Sequence, residues 1–390
     1  MVTMETADNA LKSFYLDAVK EALDYKINPF LAKIQKTSAD VVGKDVKRLV
    51  RTTMNGGVGA GSETGALPTA ESSDKVVLTS TLKNIYGTIE ISDKAIRASA
   101  SDEGAFVNLL NDEMQSLIKS AKTQFGRMLF GDGTGFLTTA WSIDTDGALV
   151  VDEYHLITPG MKIQVFVNGV EVEALRGRKV LSVDPEHYKV YLDGGSLEGV
   201  IEMGEEHKLY VYGAQGYELT GLAALFNSDT IYGLKKTENP ALMPYIKKDG
   251  QQITDQKMQM MVDRIEERSG SKVNLIICSW GVRRALMQYY SEQSMPLPSI
   301  QLEDGTNALS FNGIPVVVDR FCPPNTMYFL NTDDFKLHQL CDWKWLEGED
   351  GKVLKQVPGK PVYTATLVKY AELMCDRPNG QGVLEDLSEA

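Results

Sequence analysis

The stretch that decides the fold is Ser101–Gly131, SDEGAFVNLLNDEMQSLIKSAKTQFGRMLFG. Its large apolar side chains fall at Phe106, Leu110, Met114, Leu117, Ile118, Phe125, Met128 and Leu129. Most of these steps are three, four or seven residues, the spacing that lines one face of an α-helix. Ser101 can cap the start, with Asp102 and Glu103 in the first turn, where the helix dipole favours negative charge. Gly131 suits the left-handed residue past the end, and Arg127 stands in the last turn. Such a helix runs about 40–45 Å at 1.5 Å per residue, beyond the usual three to four turns. An apolar face of that length needs an equally long surface to lie on.

Upstream lies residues 51–75, RTTMNGGVGAGSETGALPTAESSDK, with glycine at 56, 57, 59, 61 and 65 and a proline at 68. Nothing in it builds a core, so it reads as a long flexible loop. Strand-like runs flank it: Asp45–Arg51 before, and the β-branched Val76–Ile91 after. Strand, loop and strand make an extended hairpin. The glycines do not form a phosphate loop: G-x-x-x-x-G-K-[ST] and G-x-G-x-x-G are both absent, and no helix follows directly. Further back, Leu11–Leu23 has a short helical pattern that Asn28-Pro29 breaks. It fits either an arm docking on a neighbouring subunit or a helix packed on its own domain.

Downstream of the helix, GDGTGF (131–136) is a tight glycine-rich turn, and residues 141–215 change character. Ile163–Val167, Asn168-Gly169 and Val170–Leu175 spell a hairpin, because Asn-Gly between alternating runs supplies the two positive-φ residues of a type I′ turn. Val180–Val183 and Tyr188–Leu192 flank Asp184-Pro185-Glu186, and Leu209–Tyr212 adds a strand. Short strands at regular spacing predict a small all-β barrel or sandwich. Residues 217–325 return to alternation. Asp255–Arg268 and Trp280–Tyr290 read as helices, Lys272–Cys278 and Gly313–Asp319 as buried strands, which predicts a compact sheet covered by helices. Met327–Asn331, Phe335–Leu340 and Tyr363–Met374 are the long strands expected under the long helix.

The chain has 390 residues, 43% of them hydrophobic and 24% charged, the profile of a folded protein of two or three domains. A net charge of −13 disfavours direct DNA reading, which needs clustered Lys and Arg. Four widely spaced cysteines with no C-x-x-C are expected to be buried free thiols. The N-terminus lacks a basic n-region and apolar h-region, and no apolar run can span a bilayer, so folding in a cytoplasm and no membrane partner are expected.

No active site emerges. G-x-S-x-G and H-E-x-x-H are absent. Asp144, Asp146 and Gly147 fail EF-hand spacing and read as a surface turn. His155, His187 and His207 are isolated and read as surface residues. The acidic pairs Asp333-Asp334 and Glu205-Glu206 are ordinary in so acidic a chain. The expectation is a non-enzyme with no catalytic residue, cofactor or metal.

The order of elements resembles the major capsid protein of tailed bacteriophages, the Hong Kong 97 capsid fold. Its most specific part is Leu309–Leu340, LSFNGIPVVVDRFCPPNTMYFLNTDDFKLHQL, which is similar to the family pattern G-x-P-V, proline turn, strand, acidic turn, strand. GDGTG and GLAALF also resemble family segments that are normally close in sequence, here separated by 141–215. The resemblance implies an α+β chain with an N-terminal arm (1–46), an E-loop (47–92), and a P-domain of spine helix on a long-stranded sheet (93–136 and 326–390). An inserted β-domain (141–215) and an A-domain (217–325) complete it. Assembly residues would be Gly56, Gly57, Gly59, Gly61, Pro68, Lys75 and Lys83 on the E-loop, with Phe106, Leu110, Met114, Leu117 and Phe125 on the spine helix. The implied function is a structural protein that self-assembles, in rings of five and six, into an icosahedral virion head. That head encloses double-stranded DNA without sequence-specific binding, is assembled in the host cytoplasm, and uses a separate scaffolding protein and a portal. Two readings stand beside it: an encapsulin-like compartment sharing the fold, and an α/β enzyme with a β-barrel appendage.

Overall fold

The computed structural model describes residues 28–94, 103–195, 197, 200, 205–302, 305, 307–348 and 351–389. The pattern at Leu11–Leu23 and the cap read at Ser101 lie outside the described residues, as do the side chains of Phe106 and Leu110. The helices are α1 (Pro29–Lys33), α2 (Glu103–Phe130), α3 (Leu222–Asn227), α4 (Asp255–Ser269) and α5 (Trp280–Glu292). The break read at Asn28-Pro29 is the start of α1: the Asn28 Oδ1 accepts from the Phe30 and Leu31 N–H groups, and proline occupies the first turn, where no N–H is needed.

The long helix α2 lies on a sheet of long strands. Val362–Cys375 runs through the middle of that sheet. It pairs antiparallel with Phe335–Trp345 on one side and with Lys83–Ser92 on the other, in register from Val362↔Ser92 to Ala371↔Lys83. Along Lys83–Ser92 the burial alternates, with Ile85, Ile89 and Ile91 buried and Asn84, Tyr86, Thr88 and Glu90 exposed. That is the period of a strand with one covered face. Met114, Ile118, Phe125 and Leu129 of α2 are buried, and Leu117 is half-buried. The Phe125 ring meets Trp343 edge-on at 6.2 Å. Gly87 sets the approach: a Cβ there would come 2.9 Å from Leu117 Cδ1.

Two expectations are corrected here. Lys83–Ser92 belongs to this sheet, so the projecting hairpin is formed by Asp45–Arg51 and Lys75–Thr81, shorter than the expected 47–92. Met327–Leu330 and Gly382–Glu385, expected under the long helix within 326–390, pair instead in a second, seven-stranded sheet. Both are short and buried throughout or nearly so, which suits a central position covered on two faces. That sheet runs in the order Tyr245–Lys248, Gly382–Glu385, Met327–Leu330, Leu275–Cys278, Ile314–Val318, Asn307–Phe311 and Ser299–Gln301. Helices α4 and α5 cover one face, with Met258, Met261, Ile265, Val282 and Leu286 packed on Ile276, Cys278, Phe329 and Leu384. The other face joins the core that includes α2.

The described residues of 136–211 form a β-barrel. The ring of strands is Arg178–Asp184, Lys189–Leu192, Leu149–Val151, Phe136–Ile143, His207–Val211 and Lys162–Val167, closed by pairing of the last with the first. Leu137, Ala140, Leu149, Ile163, Val165, Val180, Val190 and Leu209 fill it. Closure removes the exposed edges of short strands. Asn168 (φ 51°) and Gly169 (φ 82°) make the turn read from the sequence. The first barrel strand begins at Phe136, five residues before the expected boundary.

Candidate assembly elements: a projecting ribbon and a three-way junction

The hairpin is fixed at its base. Val46 and Leu78 are fully buried, and the Leu82 N–H donates to the Lys44 carbonyl at 2.8 Å. Arg48 binds Asp376 through Nε (3.1 Å) and Nη2 (2.5 Å), and Asp40 through Nη1 (2.6 Å). Lys336 also reaches Asp376, at 3.2 Å. These contacts tie the hairpin to the end of the long-stranded sheet, where Asp376 follows Cys375.

Beyond the base the two arms stay side by side. The Thr52 N–H donates to the Asp74 carbonyl and the Asp74 N–H to Thr53 Oγ1, and the Gly65 N–H closes a turn on Ser62. The glycines here serve close approach rather than positive φ. None of Gly56, Gly57, Gly59 and Gly61 has a left-handed backbone. A Cβ at Gly57 would stand 3.1 Å from the Glu71 nitrogen and 3.3 Å from the Thr69 carbonyl, one at Gly59 3.3 Å from Pro68, and one at Gly61 3.7 Å from the Ala66 carbonyl. The loop expected to be loose is thus a narrow ribbon. Met54, Val58 and Leu67 on it are 93%, 89% and 90% exposed, more than any other large apolar side chain described. Residues 52–74 carry Glu63, Glu71 and Asp74 and no cation. Lys75 is exposed at the start of the returning strand. Lys83 is engaged inside the chain, donating to the Gly216 carbonyl at 3.1 Å.

That lysine bond is part of a junction where the long helix, the barrel and the sheet meet. The chain leaves α2 for the barrel through 131–136 and returns through 211–221. Gly133 (φ 84°) and Gly135 (φ 80°) take conformations that disfavour a side chain, and a Cβ on Gly135 would lie 3.2 Å from the Ala214 carbonyl. At Gly221 a Cβ would meet the Gly131 and Leu129 carbonyls at 2.5 and 2.7 Å. GDGTG and GLAALF, far apart in sequence, are therefore neighbours in space.

Three buried ionisable side chains, Arg127, Glu218 and Glu372, lock the junction. Arg127 is fully buried and grips Glu218 with both terminal nitrogens, Nη1 to Oε2 at 2.9 Å, while its Nε donates to Gln124 at 3.0 Å. Glu372, on the long strand, accepts from the Thr220 N–H at 2.9 Å, and its Oε2 has no partner. Burial pushes the Glu372 carboxyl up to about 7. A fourth sits between helix and sheet: Lys369 donates to Asp342 (2.5 Å) and Gln339 (2.9 Å) and lies 5.6 and 5.8 Å from the Phe125 and Trp343 ring centres. The sequence reading placed Arg127 only by the helix dipole and did not single out Glu218, Lys369 or Glu372. The available signal was a Lys and a Glu inside the apolar run YTATLVKYAELM.

The remaining candidates resolve into structural roles. Lys189 binds Asp144, and lies 3.6 Å from Asp146, so the faint calcium loop is an ion-paired turn. His187 is exposed, but His207 is buried and the His155 side chain is only 9% exposed, which corrects their reading as surface residues. Burial lowers His155 to about 4. Asp334 accepts from Ser271 at 2.8 Å. Cys278, Cys322 and Cys375 are buried free thiols, and Cys341 is only half-buried. Among the described residues, no group of three His, Cys, Asp or Glu is placed to hold a metal, and no helix is long and apolar enough to cross a membrane.

No family model matches the chain, and no curated protein matches it in sequence. Among solved structures it is similar to the capsid asymmetric unit of cyanophage A-1(L), at 12% identity over 94% of each chain with a TM-score of 0.56. Weaker similarities join it to the holo-SrpI encapsulin complex of Synechococcus elongatus PCC 7942 (10% identity, 93% of this chain and 89% of that one, TM-score 0.48) and to the capsid of a native GTA particle (12%, 92% and 90%, TM-score 0.47). The chain has the α+β fold of a phage capsid.

Proposed function

We propose that the protein is the structural major capsid protein of a tailed bacteriophage, self-assembling into an icosahedral head around double-stranded DNA. The observation that carries this reading is the ribbon: three large apolar side chains held almost wholly in solvent on a hairpin anchored rigidly at its base. An exposed apolar set of this kind calls for a partner surface. In a chain with a capsid fold, the partner is another copy. Each copy gives a ribbon and receives one, a heterologous contact that closes into rings of five or six. Individually weak contacts gain strength by multiplicity. The helix α2 on its long strands, cross-braced by Lys369, acts as a stiff lever for rigid-body rotation between an immature and an expanded shell. A net charge of −13 suits a container that repels DNA rather than binding its sequence.

The same reading places the protein in the virion, with a separate scaffolding protein and a portal as assembly partners. It calls for no cofactor, metal or catalytic residue. The barrel at 136–211 stands as a domain inserted between the helix and the central sheet. The test is electron microscopy of the protein expressed alone and with a candidate scaffold, plus nuclease-protected DNA on any particles. Uniform polyhedral shells holding DNA are expected. A protein that stays monomeric under both conditions overturns the reading, and DNA-free shells filled with a protein cargo favour a compartment instead.

A further inference from the structure

Asparagine followed by glycine occurs four times in the chain, at 55–56, 168–169, 312–313 and 379–380. In such a pair the glycine nitrogen can attack the asparagine side-chain amide, because no side chain shields it. The fold treats the four differently. Asn168 and Asn312 sit at φ 51° and 50°, each the first residue of a hairpin turn closed by a ladder pair, Val167↔Val170 and Phe311↔Ile314. Bringing the following nitrogen round onto Cγ would break those pairs. The Asn312 Nδ2 is also held, donating to Gln259 at 2.7 Å. Gly380 is buried, and its N–H, the attacking group, donates to the Arg377 carbonyl at 3.0 Å. Asn55 is exposed and lies beyond the last ladder pair of the hairpin, Arg51↔Lys75. Its Oδ1 accepts from the Gly57 N–H at 2.8 Å. That Asx turn wraps the side chain around the intervening Gly56 nitrogen and draws electron density from Cγ. The Glu71 carboxylate stands against Gly56, where a Cβ would collide with it.

We propose that Asn55-Gly56 is a self-modification site, where the ribbon deamidates through a cyclic imide ahead of the other three pairs. The Gly56 nitrogen forms a bond to Asn55 Cγ and passes its proton to the Glu71 carboxylate, the base beside it. The Gly57 N–H supports the negative charge that gathers on Oδ1. The Cγ–Nδ2 bond then breaks, and the departing nitrogen takes the proton from Glu71 and leaves as ammonia. Water opens the ring at one of its two carbonyls. Opening at the side-chain carbonyl gives aspartate. Opening at the main-chain carbonyl gives isoaspartate, with one extra methylene in the backbone. No oxidant or reductant enters. Both products add a carboxylate to a ribbon that carries Glu63, Glu71 and Asp74 and no cation. Isoaspartate also lengthens one arm where Gly57 approaches the Glu71 nitrogen and the Thr69 carbonyl of the other. The ribbon's narrow shape therefore has a chemical lifetime, set by its own residues and independent of whether the chain forms shells.

The test incubates the purified full chain at neutral pH in heavy-oxygen water and follows the four pairs by mass spectrometry of proteolytic peptides. The isotope separates conversion in the folded chain from conversion during digestion. Asn55 should convert at least about tenfold faster than Asn168, Asn312 or Asn379, the scale of one hydrogen bond that must break at the others. Isoaspartate should be among its products, because direct hydrolysis of the side-chain amide cannot form it. Glu71→Gln should slow Asn55 alone by about tenfold, short of the roughly hundredfold that a rigidly aligned base supplies. Glu71 is exposed, so the melting temperature of that variant should not move. In urea the four rates should converge, since the fold is what separates them. A rate at Asn55 no faster than at Asn168 overturns the site. Aspartate without isoaspartate overturns the imide route, and a rate that ignores Glu71→Gln overturns Glu71 as the base. None of these readouts involves a shell, so each stands or falls apart from the shell reading.

Discussion

The long helix and the ribbon are both thin elements studded with apolar side chains, and the fold treats them in opposite ways. Helix α2 has its described apolar face covered by long strands and pinned by three buried charged groups, Arg127, Glu218 and Lys369. The ribbon keeps Met54, Val58 and Leu67 in solvent and is pinned only at its base. The helix interface is complete within one chain and is where stability resides. The ribbon surface is left exposed within one chain, and on the proposed shell reading it is where association would reside. Substitutions in the two regions should therefore separate unfolding from assembly.

The largest effect is expected at Arg127. Arg127→Ala strands the Glu218 carboxylate in a dry junction, and breaking a buried pair from one side costs about 3–5 kcal/mol. Urea unfolding of the isolated chain measures it. A loss under about 1 kcal/mol would mean that Glu218 finds water and that the junction is looser than its geometry. The next effect is a pH dependence from Glu372. Its folded carboxyl titrates near 7, against an ordinary 4.5 in the unfolded chain. The folded state then binds the extra proton between those values, so this group's contribution to stability falls as pH rises from about 4.5 to 7. The total is on the order of 3 kcal/mol. Asp319, also pushed up to about 7 by burial, adds a slope of the same sign. Glu372→Gln keeps an oxygen for the Thr220 N–H and should flatten most of its share, read as the change in unfolding free energy between pH 5 and pH 7.5. An unchanged slope would show that Glu372 ionises freely in the folded chain.

Why some of this was legible in the sequence and some was not follows from range. The helix announced itself because its apolar positions repeat locally, and Asn168-Gly169 announced its hairpin because positive φ is a property of two adjacent residues. The barrel followed from strand spacing. Met327–Leu330 was misplaced because an apolar run of four cannot declare which of two sheets it joins. That choice depends on pairing with Leu275–Cys278 across fifty residues. Arg127 and Glu218 are 91 positions apart, and only the returning barrel stem brings them together. The glycines of 56–61 were legible as a loop, but their purpose was not. Composition gives freedom of backbone, whereas close approach of the second arm is a fact of tertiary packing.

Within the helix region, a smaller effect is expected at Gly87. Gly87→Ala puts a methyl 2.9 Å from the end of Leu117, which is flexible and can turn aside. A cost of about 1 kcal/mol follows, at the low end for overpacking. A much larger loss would mean that the helix cannot lift from its strands at all.

The smallest effect on stability, and the sharpest on assembly, is expected in the ribbon. Gly57→Val drives a branched side chain against the backbone of Glu71 and Thr69, which cannot turn aside as a side-chain tip can, so the two arms must part. The ribbon contributes nothing to the core, and the unfolding free energy should change by no more than about 0.5 kcal/mol. Shell yield by electron microscopy should collapse, because a splayed tip no longer has the narrow profile that a neighbour receives. Gly61→Ala supplies the control. Its Cβ would sit 3.7 Å from the Ala66 carbonyl, an ordinary contact, so both stability and shell yield should match the parent chain. If Gly57→Val assembles as well as Gly61→Ala, the ribbon's narrowness is not what neighbours recognise, and its exposed apolar side chains act without it. If both fail, any added bulk in 52–74 is excluded, and the tip is enclosed by its neighbour on every side rather than laid along one face.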